Sequence, residues 1–342
     1  MSARADIIPV FVPHLGCGHA CVFCNQRRIS GETVPATAQT VREAIRAAEC
    51  VPRAEKRELA FYGGSFTAIS EQVQTELLAA AKEARDAGKI DAIRLSTRPD
   101  AIDESVLSRL RAYGVETVEL GAQSMDDTVL RASGRGHTAA DVFRASEMVK
   151  AAGFRLILQM MTGLPGDTPG RCVETARRIL RCRPDGVRIY PTVIVKDTEL
   201  YERWLRGEYR EHTVEDAVSI CARIVPLFER AGIPVIRLGL NPTEELSGGA
   251  AVAGAYHPAL GELVKSRILR NRAEKLLEGI EAHSCVILEV QPSQFSQMIG
   301  QHRQNLDYLR EAFTLREIRV RPGDAAHGEI RVLPASQEGR AR

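Results

Sequence analysis

From Ile7 to Leu240, short β-branched runs alternate with longer helical patterns, and that alternation allows few folds. The runs are IIPVFVPH (7–14), ELAFYGG (58–64), AIRLSTRP (92–99), TVELGAQS (117–124), RLILQMMTGLP (155–165), GVRIYPTVIV (186–195) and PVIRLGL (234–240). Between the earlier runs lie TAQTVREAIRAAECV, SEQVQTELLAAAKEARDAG, DESVLSRLRAYG and TAADVFRASEMVKAAG, which open on Thr, Ser or Asp as caps, several ending at Gly. Strands joined by helical crossovers run parallel, so the reading is an α/β fold, a partial (β/α)6-type TIM barrel. In such a sheet the functional residues belong at the C-terminal strand ends.

After residue 241 the rhythm changes. A Gly/Ala-rich loop, NPTEELSGGAAVAGAYHP, leads into the amphipathic helix ALGELVKSRILRNRAEKLLEGI. A strand CVILEVQ, a helix SQFSQMIGQHRQNLDYLREAF and two strands, LREIRVRP and GEIRVLP, follow. The division expected is a core at 1–240, a small α+β appendage at 241–335 and a disordered tail at 336–342. With 46 basic and 44 acidic residues the net charge is +2, so no global field selects nucleic acid or membrane. No run of eighteen apolar residues occurs, and the N-terminal apolar run is short and broken by prolines and His14. Eight cysteines without a secretory signal read as metal-binding or catalytic residues in a reducing cytoplasm.

Three of those cysteines, Cys17, Cys21 and Cys24, stand in GCGHACVFCN with the spacing C-x3-C-x2-C. A closed zinc site needs four ligands, and His19, inside the triplet, would strain the loop to supply the fourth. A 4Fe–4S cluster held by three thiolates instead keeps one iron open to a small molecule. Zinc, unligated cysteines and a cluster are the three readings of the spacing itself.

The spacing, Phe23 before the last cysteine and the position after a first strand together resemble the radical S-adenosylmethionine superfamily. That resemblance implies one 4Fe–4S cluster on Cys17, Cys21 and Cys24, with S-adenosylmethionine chelated at the open iron. Reductive cleavage of the sulfonium then yields methionine and a 5′-deoxyadenosyl radical, while the protein positions the reactants and excludes water. It also implies that Phe23 packs near the adenine and that Gly63 and Gly64 of FYGGSFTA, followed by Ser65, approach the methionyl amino group. Ser96 and Arg98 of LSTRPD end the third strand, and Arg98 suits a carboxylate. Gln123 ends the fourth strand in ELGAQSMDD. Gly163, Pro165 and Gly166 form the turn after the fifth, suited to an adenine edge, and Arg188 and Tyr190 stand on the sixth.

Taken in order, YGGSFTA, STRPD, ELGAQS, GLPGDT and RIYPTVIVKDTELYERW resemble more narrowly the radical domain of Elongator protein 3, over residues 7 to about 240. Two departures stand out: the compact first cysteine gap, and no acetyl-CoA pyrophosphate loop after 241. The resemblance is therefore to short, stand-alone Elongator-protein-3-like proteins without the acetyltransferase domain. Cys50, Cys172, Cys182, Cys221 and Cys285 are scattered, which reads as packing and a single cluster.

In the appendage, the pattern I-G-x-x-x-x-N-x-x-x-L resembles a KH module, which clamps single-stranded nucleic acid with a GxxG loop. Here the element is GQHR: Gly300 is kept and Arg303 replaces the second glycine. The preceding helix carries Lys265, Arg267 and Arg270, a second basic feature that a solvated face would equally explain. Met298, Ile299, Leu306 and Leu309 form its expected core face.

The leading expectation is an enzyme that modifies RNA, in particular a tRNA base, supplied with electrons by a flavodoxin or ferredoxin. Two others are set against it: the same chemistry on a small molecule, by resemblance to coproporphyrinogen oxidases, and a non-catalytic RNA-binding protein holding zinc or a cluster. A cytoplasmic protein with no membrane contact fits all three.

Overall fold

The computed structural model describes residues 5–12, 17, 21–25, 34–241, 243 and 246–334. The end of the first expected strand (13–14), His19 and the expected tail (336–342) lie outside the described residues. Those described group into two compact units, one up to Ala217 with Leu227–Pro258, the other Val218–Pro226 with Ala259 onward.

The first unit begins β1 (Ala5–Phe11), α1 (Ala38–Glu49), β2 (Lys56–Tyr62), α2 (Glu71–Asp86), β3 (Ala92–Thr97), α3 (Glu104–Ala112) and β4 (Val115–Gln123). It continues α4 (Asp127–Ala132), α5 (Ala139–Ala151), β5 (Arg155–Thr162), α6 (Pro169–Arg181), β6 (Gly186–Pro191), β7 (Val193–Val195), α7 (Glu199–Leu205), the ends of α8 (Val214–Arg230), whose stretch Val218–Pro226 groups with the other unit, β8 (Val235–Leu238) and β9 (Ala251–Gly254). Seven strands form one sheet in the order β1-β2-β3-β4-β5-β6-β8, and every neighbouring pair in it is parallel. This is the curled α/β half-barrel the alternation implies.

Local chemistry sets the helix starts. Thr37, Thr138 and Thr213 close capping boxes with Thr40, Asp141 and Asp216, and Asp103 accepts from the Val106 amide. Ser70 stands at the start of α2 without a side-chain cap bond, so this cap differs from the sequence expectation.

Side chains alternate across the strands, and the two faces of the sheet differ in kind. Leu59, Phe61, Ile93, Leu95, Val118, Leu120, Leu156, Leu158, Val187 and Ile189 are fully buried and form one face. The alternate positions carry Glu58, Tyr62, Arg94, Ser96, Glu119, Gln159, Arg188 and Tyr190, a polar lane across five strands. A sheet buried on both faces usually reads as continuous apolar runs; the polar lane is where this one departs.

Two sequence expectations change in this unit. The run 186–195 is two strands, because β7 leaves the sheet and pairs antiparallel with β9. The Gly/Ala-rich stretch after 241 is therefore not all loop. Gly254, with φ +92°, lets the ribbon close: a Cβ there would lie 2.9 Å from the Thr192 carbonyl oxygen.

The second unit contains α9 (Leu260–Leu277), β10 (Cys285–Val290), α10 (Phe295–Ile299), α11 (Gln304–Ala312), β11 (Glu317–Pro322) and β12 (Ile330–Pro334). β10 is central, parallel to β11 and antiparallel to β12. Its core joins Leu269, Ala273 and Leu277 of α9 to Met298, Leu306, Leu309 and the inner strand residues, with Ile299 packed at the edge. The single helix expected over 293–313 is two, because Gly300, His302 and Arg303 have φ of +76°, +49° and +64°.

Candidate cofactor and active site

The first unit encloses a cavity of about 310 Å³ at the C-terminal strand ends. Cys17, Cys21, Phe23 and Cys24 line it after β1, Gly63 and Gly64 after β2, Ser96 and Arg98 around the end of β3, and Gln123 at the end of β4. Arg188 and Tyr190 reach it from β6. Ser65 does not line it: its buried hydroxyl lies 3.0 Å from Thr97 Oγ1 and accepts from the Arg98 amide at 3.2 Å, so it braces the β3 turn. Gly163, Pro165 and Gly166 do not line it either. The Gly163 carbonyl accepts from the Tyr209 hydroxyl at 2.5 Å and its amide donates to Asp167 at 3.2 Å.

The wall holds residues that no single motif announced. Arg135 sits between Gly134 and Gly136, both with positive φ, and donates to the Gly121 carbonyl at 2.7 Å and to Cys21 Sγ at 3.3 Å. Its signal was the GRGHT turn, one helix after the Gln123 motif. Tyr62, Gln159, Met161, Arg237, Asn241 and Thr243 also line the cavity. Alternation along β5 and β8 would have found Gln159 and Arg237, which align with Gly121 and Arg188 in the register.

The electrostatics of the lining are one-sided. Arg98, Arg135, Arg188 and Arg237 face the cavity, and no carboxylate lines it among the described residues. Arg188 is balanced from beneath by Glu119, wholly buried, at 2.8 Å. Arg98 is held by Asp100 at 3.0 and 2.8 Å and donates to the Arg135 carbonyl at 2.6 Å. Burial, and then the Cys21 thiol, push the Cys17 thiol up; Arg98 and Arg135 pull the other way. Burial, and then Glu119, push Tyr62 up to about 12, and burial also raises Tyr190, so both stay protonated donors.

Four buried polar atoms of this wall have no hydrogen-bond partner among the described residues: Arg98 Nη1, Arg135 Nε, Gln123 Oε1 and Arg188 Nε, the last in ion-pair contact with Glu119. Buried polar groups are nearly always paired, and these belong to residues that border a cavity. Gln123 is also a non-glycine residue at φ +62°, next to a register shift in the β4–β5 pairing. Bulges and left-handed backbone of this kind cluster at ligand sites.

Cys17, Cys21 and Cys24 all line the cavity, and among the described residues no three His, Cys, Asp or Glu side chains converge to hold one metal ion. A closed zinc tetrahedron needs such convergence. Thiolates on different irons of one cluster stand farther apart, and the donor set fits that chemistry. Of the other cysteines, Cys172, Cys182 and Cys221 are buried, Cys285 is half-buried and Cys50 is exposed, so packing does not account for Cys50. None of the eight forms a disulfide.

In the second unit Lys265 is exposed and paired with Glu262 at 2.8 Å, Arg267 is half-buried, and Arg270 meets Glu274 at 3.4 Å. This basic run is thus more compensated than its sequence suggested. Gly300 and Arg303 lie in the loop between α10 and α11. Among the described residues no helix is long and apolar enough to cross a membrane.

The radical SAM superfamily model matches residues 11–179, and the radical SAM C-terminal domain model matches 184–270. Elongator complex protein 3 of Homo sapiens is 28% identical over 234 residues, covering 63% of this chain and 42% of that protein. A tRNA uridine(34) acetyltransferase of Methanocaldococcus jannaschii is 31% identical over 179 residues, covering 51% and 32%. The chain thus spans less than half the length of these relatives. The solved structure of Methanocaldococcus infernus Elp3 with an N-terminal deletion superposes with a TM-score of 0.61 at 24% identity, over 80% of this chain and 64% of that one.

Proposed function

Because this chain belongs to the radical SAM superfamily, we propose that it is a radical enzyme that cleaves S-adenosylmethionine reductively to modify RNA, with a tRNA base as target. One observation carries the first half. Three thiols share a cavity with the unpartnered atoms of Arg98, Arg135 and Gln123. Cys17, Cys21 and Cys24 would hold the cluster, which when reduced by a flavodoxin or ferredoxin supplies the electron that splits the sulfonium.

The chain's own residues do the rest. Arg135 offers its guanidinium beside the cysteines, where a methionyl carboxylate suits it, and Arg98 fixes Arg135 by holding its carbonyl. Gly63 and Gly64, with φ of +74° and +57°, bring backbone close to the ligand where a Cβ would be strained. Phe23 and the Val193 and Val195 side chains of β7 give an apolar wall that keeps water from the radical. Tyr62, Gln159, Arg188 and Tyr190 present donors on the floor, which suits a nucleobase carbonyl.

The tRNA half rests on relatives named Elongator complex protein 3 and tRNA uridine(34) acetyltransferase. The test is twofold. Anaerobically reconstituted protein with dithionite should release 5′-deoxyadenosine and methionine from S-adenosylmethionine; no release from a reduced, intact cluster sinks the enzyme reading. Nucleosides of tRNA from cells with and without the gene should differ at one modified base; identical profiles sink the tRNA reading.

A further inference from the structure

The second unit presents a surface that the cavity does not use. β10, α10, α11 and β11 succeed one another as strand, helix, helix and strand, and β10 pairs with β11 in parallel. In a unit of this plan the loop between the helices stands free of the sheet, and here it is residues 300–303.

Asn305 fixes that loop from within. Its buried Nδ2 lies 2.9 Å from Ser266 Oγ and 3.3 Å from the Ser266 carbonyl on α9, and 3.1 and 3.2 Å from the Gln297 and Met298 carbonyls on α10. Gly300 has to be glycine beside it, since a Cβ would stand 3.0 Å from Asn305 Cγ. The chain is then forced out through Gln301, His302 and Arg303, all exposed, and the last two adopt left-handed φ without being glycine. No carboxylate pairs with His302 or Arg303 among the described residues, whereas neighbouring Lys265 and Arg310 are paired with Glu262 and Asp307.

One helical turn beyond Asn305, on the same α9–α11 seam, stands Tyr308. It is 43% exposed, the only aromatic among the exposed large apolar residues of the described part, and Arg270 lies over its ring at 4.2 Å. Ser266 and Arg270 are four apart on α9, and Asn305 and Tyr308 three apart on α11, so the stack and the loop share one face. A guanidinium and an imidazole with no carboxylate partner among the described residues, next to an exposed aromatic–guanidinium stack, match the two needs of single-stranded nucleic acid, contacts to phosphate and a platform for bases.

We infer that this face binds a single-stranded nucleic acid, with His302 and Arg303 on phosphates and Tyr308, backed by Arg270, under a base. The inference deepens the RNA reading above and rests on it for the identity of the strand. The paired acids around the patch leave little net charge for bare polyanions, so a stacking contribution is required and a rigid duplex is a poor fit.

Fluorescence anisotropy on the full chain tests this, with a labelled ten-nucleotide RNA of mixed sequence and a duplex of equal length as probes. The wild type is expected to prefer the single strand. His302→Asn with Arg303→Asn keeps residues that tolerate left-handed φ. It should weaken binding at least tenfold and flatten the salt dependence by roughly 0.7 per lost phosphate contact. Tyr308→Ala should weaken binding comparably with the salt slope unchanged, a split that general unfolding does not produce. Absence of single-strand binding, equal duplex binding, or indifference to these variants overturns the inference. Release of 5′-deoxyadenosine from S-adenosylmethionine alone, measured without RNA, separates the two readings. Its failure removes the enzyme and leaves the binding face; lost RNA binding with intact release does the reverse.

Discussion

Arg188 Nε lies 2.8 Å from Oε2 of Glu119, whose side chain is wholly buried between the central strands. Oε1 receives Arg94 at 3.1 Å and the Tyr62 hydroxyl at 3.2 Å. Arg94 has a second carboxylate, Glu58, at 2.7 Å, whereas among the described residues Arg188 has Glu119 alone. Glu119→Gln should therefore leave Arg188 uncompensated and cost about 3–5 kcal/mol. Tyr62→Phe, which removes one hydroxyl, should cost only about 1 kcal/mol. Urea unfolding at neutral pH measures both, and equal losses would mean that the ion pairs contribute little.

Cluster loading is expected to separate the cysteines by position. Replacing Cys17, Cys21 or Cys24 by Ala should abolish the brown absorbance and most bound iron after anaerobic reconstitution. Cys50→Ala and Cys285→Ala should leave iron content as in the wild type. Iron and acid-labile sulfide assays decide this, and a dependence on Cys285 would move the ligand set.

At Gln123 stability and function should come apart. Glycine there removes a left-handed strain of about 1 kcal/mol and adds a similar chain-entropy cost, so unfolding should shift little. Affinity for S-adenosylmethionine should nevertheless fall about tenfold, the worth of one buried hydrogen bond. Calorimetric titration of the reconstituted protein measures it.

His137 is buried, and burial, with Arg135 next to it, lowers its pKa to about 4. The folded protein therefore holds it neutral while the unfolded chain protonates it below about 6.5. Unfolding then takes up a proton between these values, so stability is full above pH 6.5 and falls as pH drops toward 4, by roughly 3 kcal/mol. Denaturation of the apoprotein at pH 7 and 4.5 should show this loss, and His137→Gln should show it reduced.

Gly163 has φ +75°, and a Cβ there would lie 2.1 Å from His212 Cγ. His212 is itself held, 3.1 Å from Thr162 Oγ1. Gly163→Ala should cost on the order of 2–4 kcal/mol through strain and displacement of His212, read from the thermal midpoint. A neutral effect would show that the turn after β5 can yield.

Much of this site could be read from the chain because parallel βα units put their strand ends at one edge. The motifs ending on Cys24, Gly64, Arg98, Gln123 and Tyr190 thus meet around one cavity although up to 166 residues apart. Gly163, Pro165 and Gly166 read equally well as a ligand turn, yet Gly163 bonds to Asp167 and to Tyr209, the latter a partner set by tertiary packing, and the Gly166 carbonyl accepts from Arg171. Arg237 escaped notice because a single strand arginine carries no motif, and only alternation and register show which way it faces; Arg135 was marked by nothing but the GRGHT turn. The break in the helix at Gly300 was written in the sequence, but a glycine within an amphipathic pattern reads both ways until Asn305 is seen behind it.

The polar lane beneath the cavity has a consequence for how such a chain can change. Glu58, Arg94, Glu119 and Arg188 share charge from β2 to β6, so one replacement strands a partner, while a matched exchange need not. Variation along this lane should therefore come in concerted sets, each a different arrangement of donors under the cavity. The floor can be re-specified only as a whole, while the cysteine loop above it stays as it is.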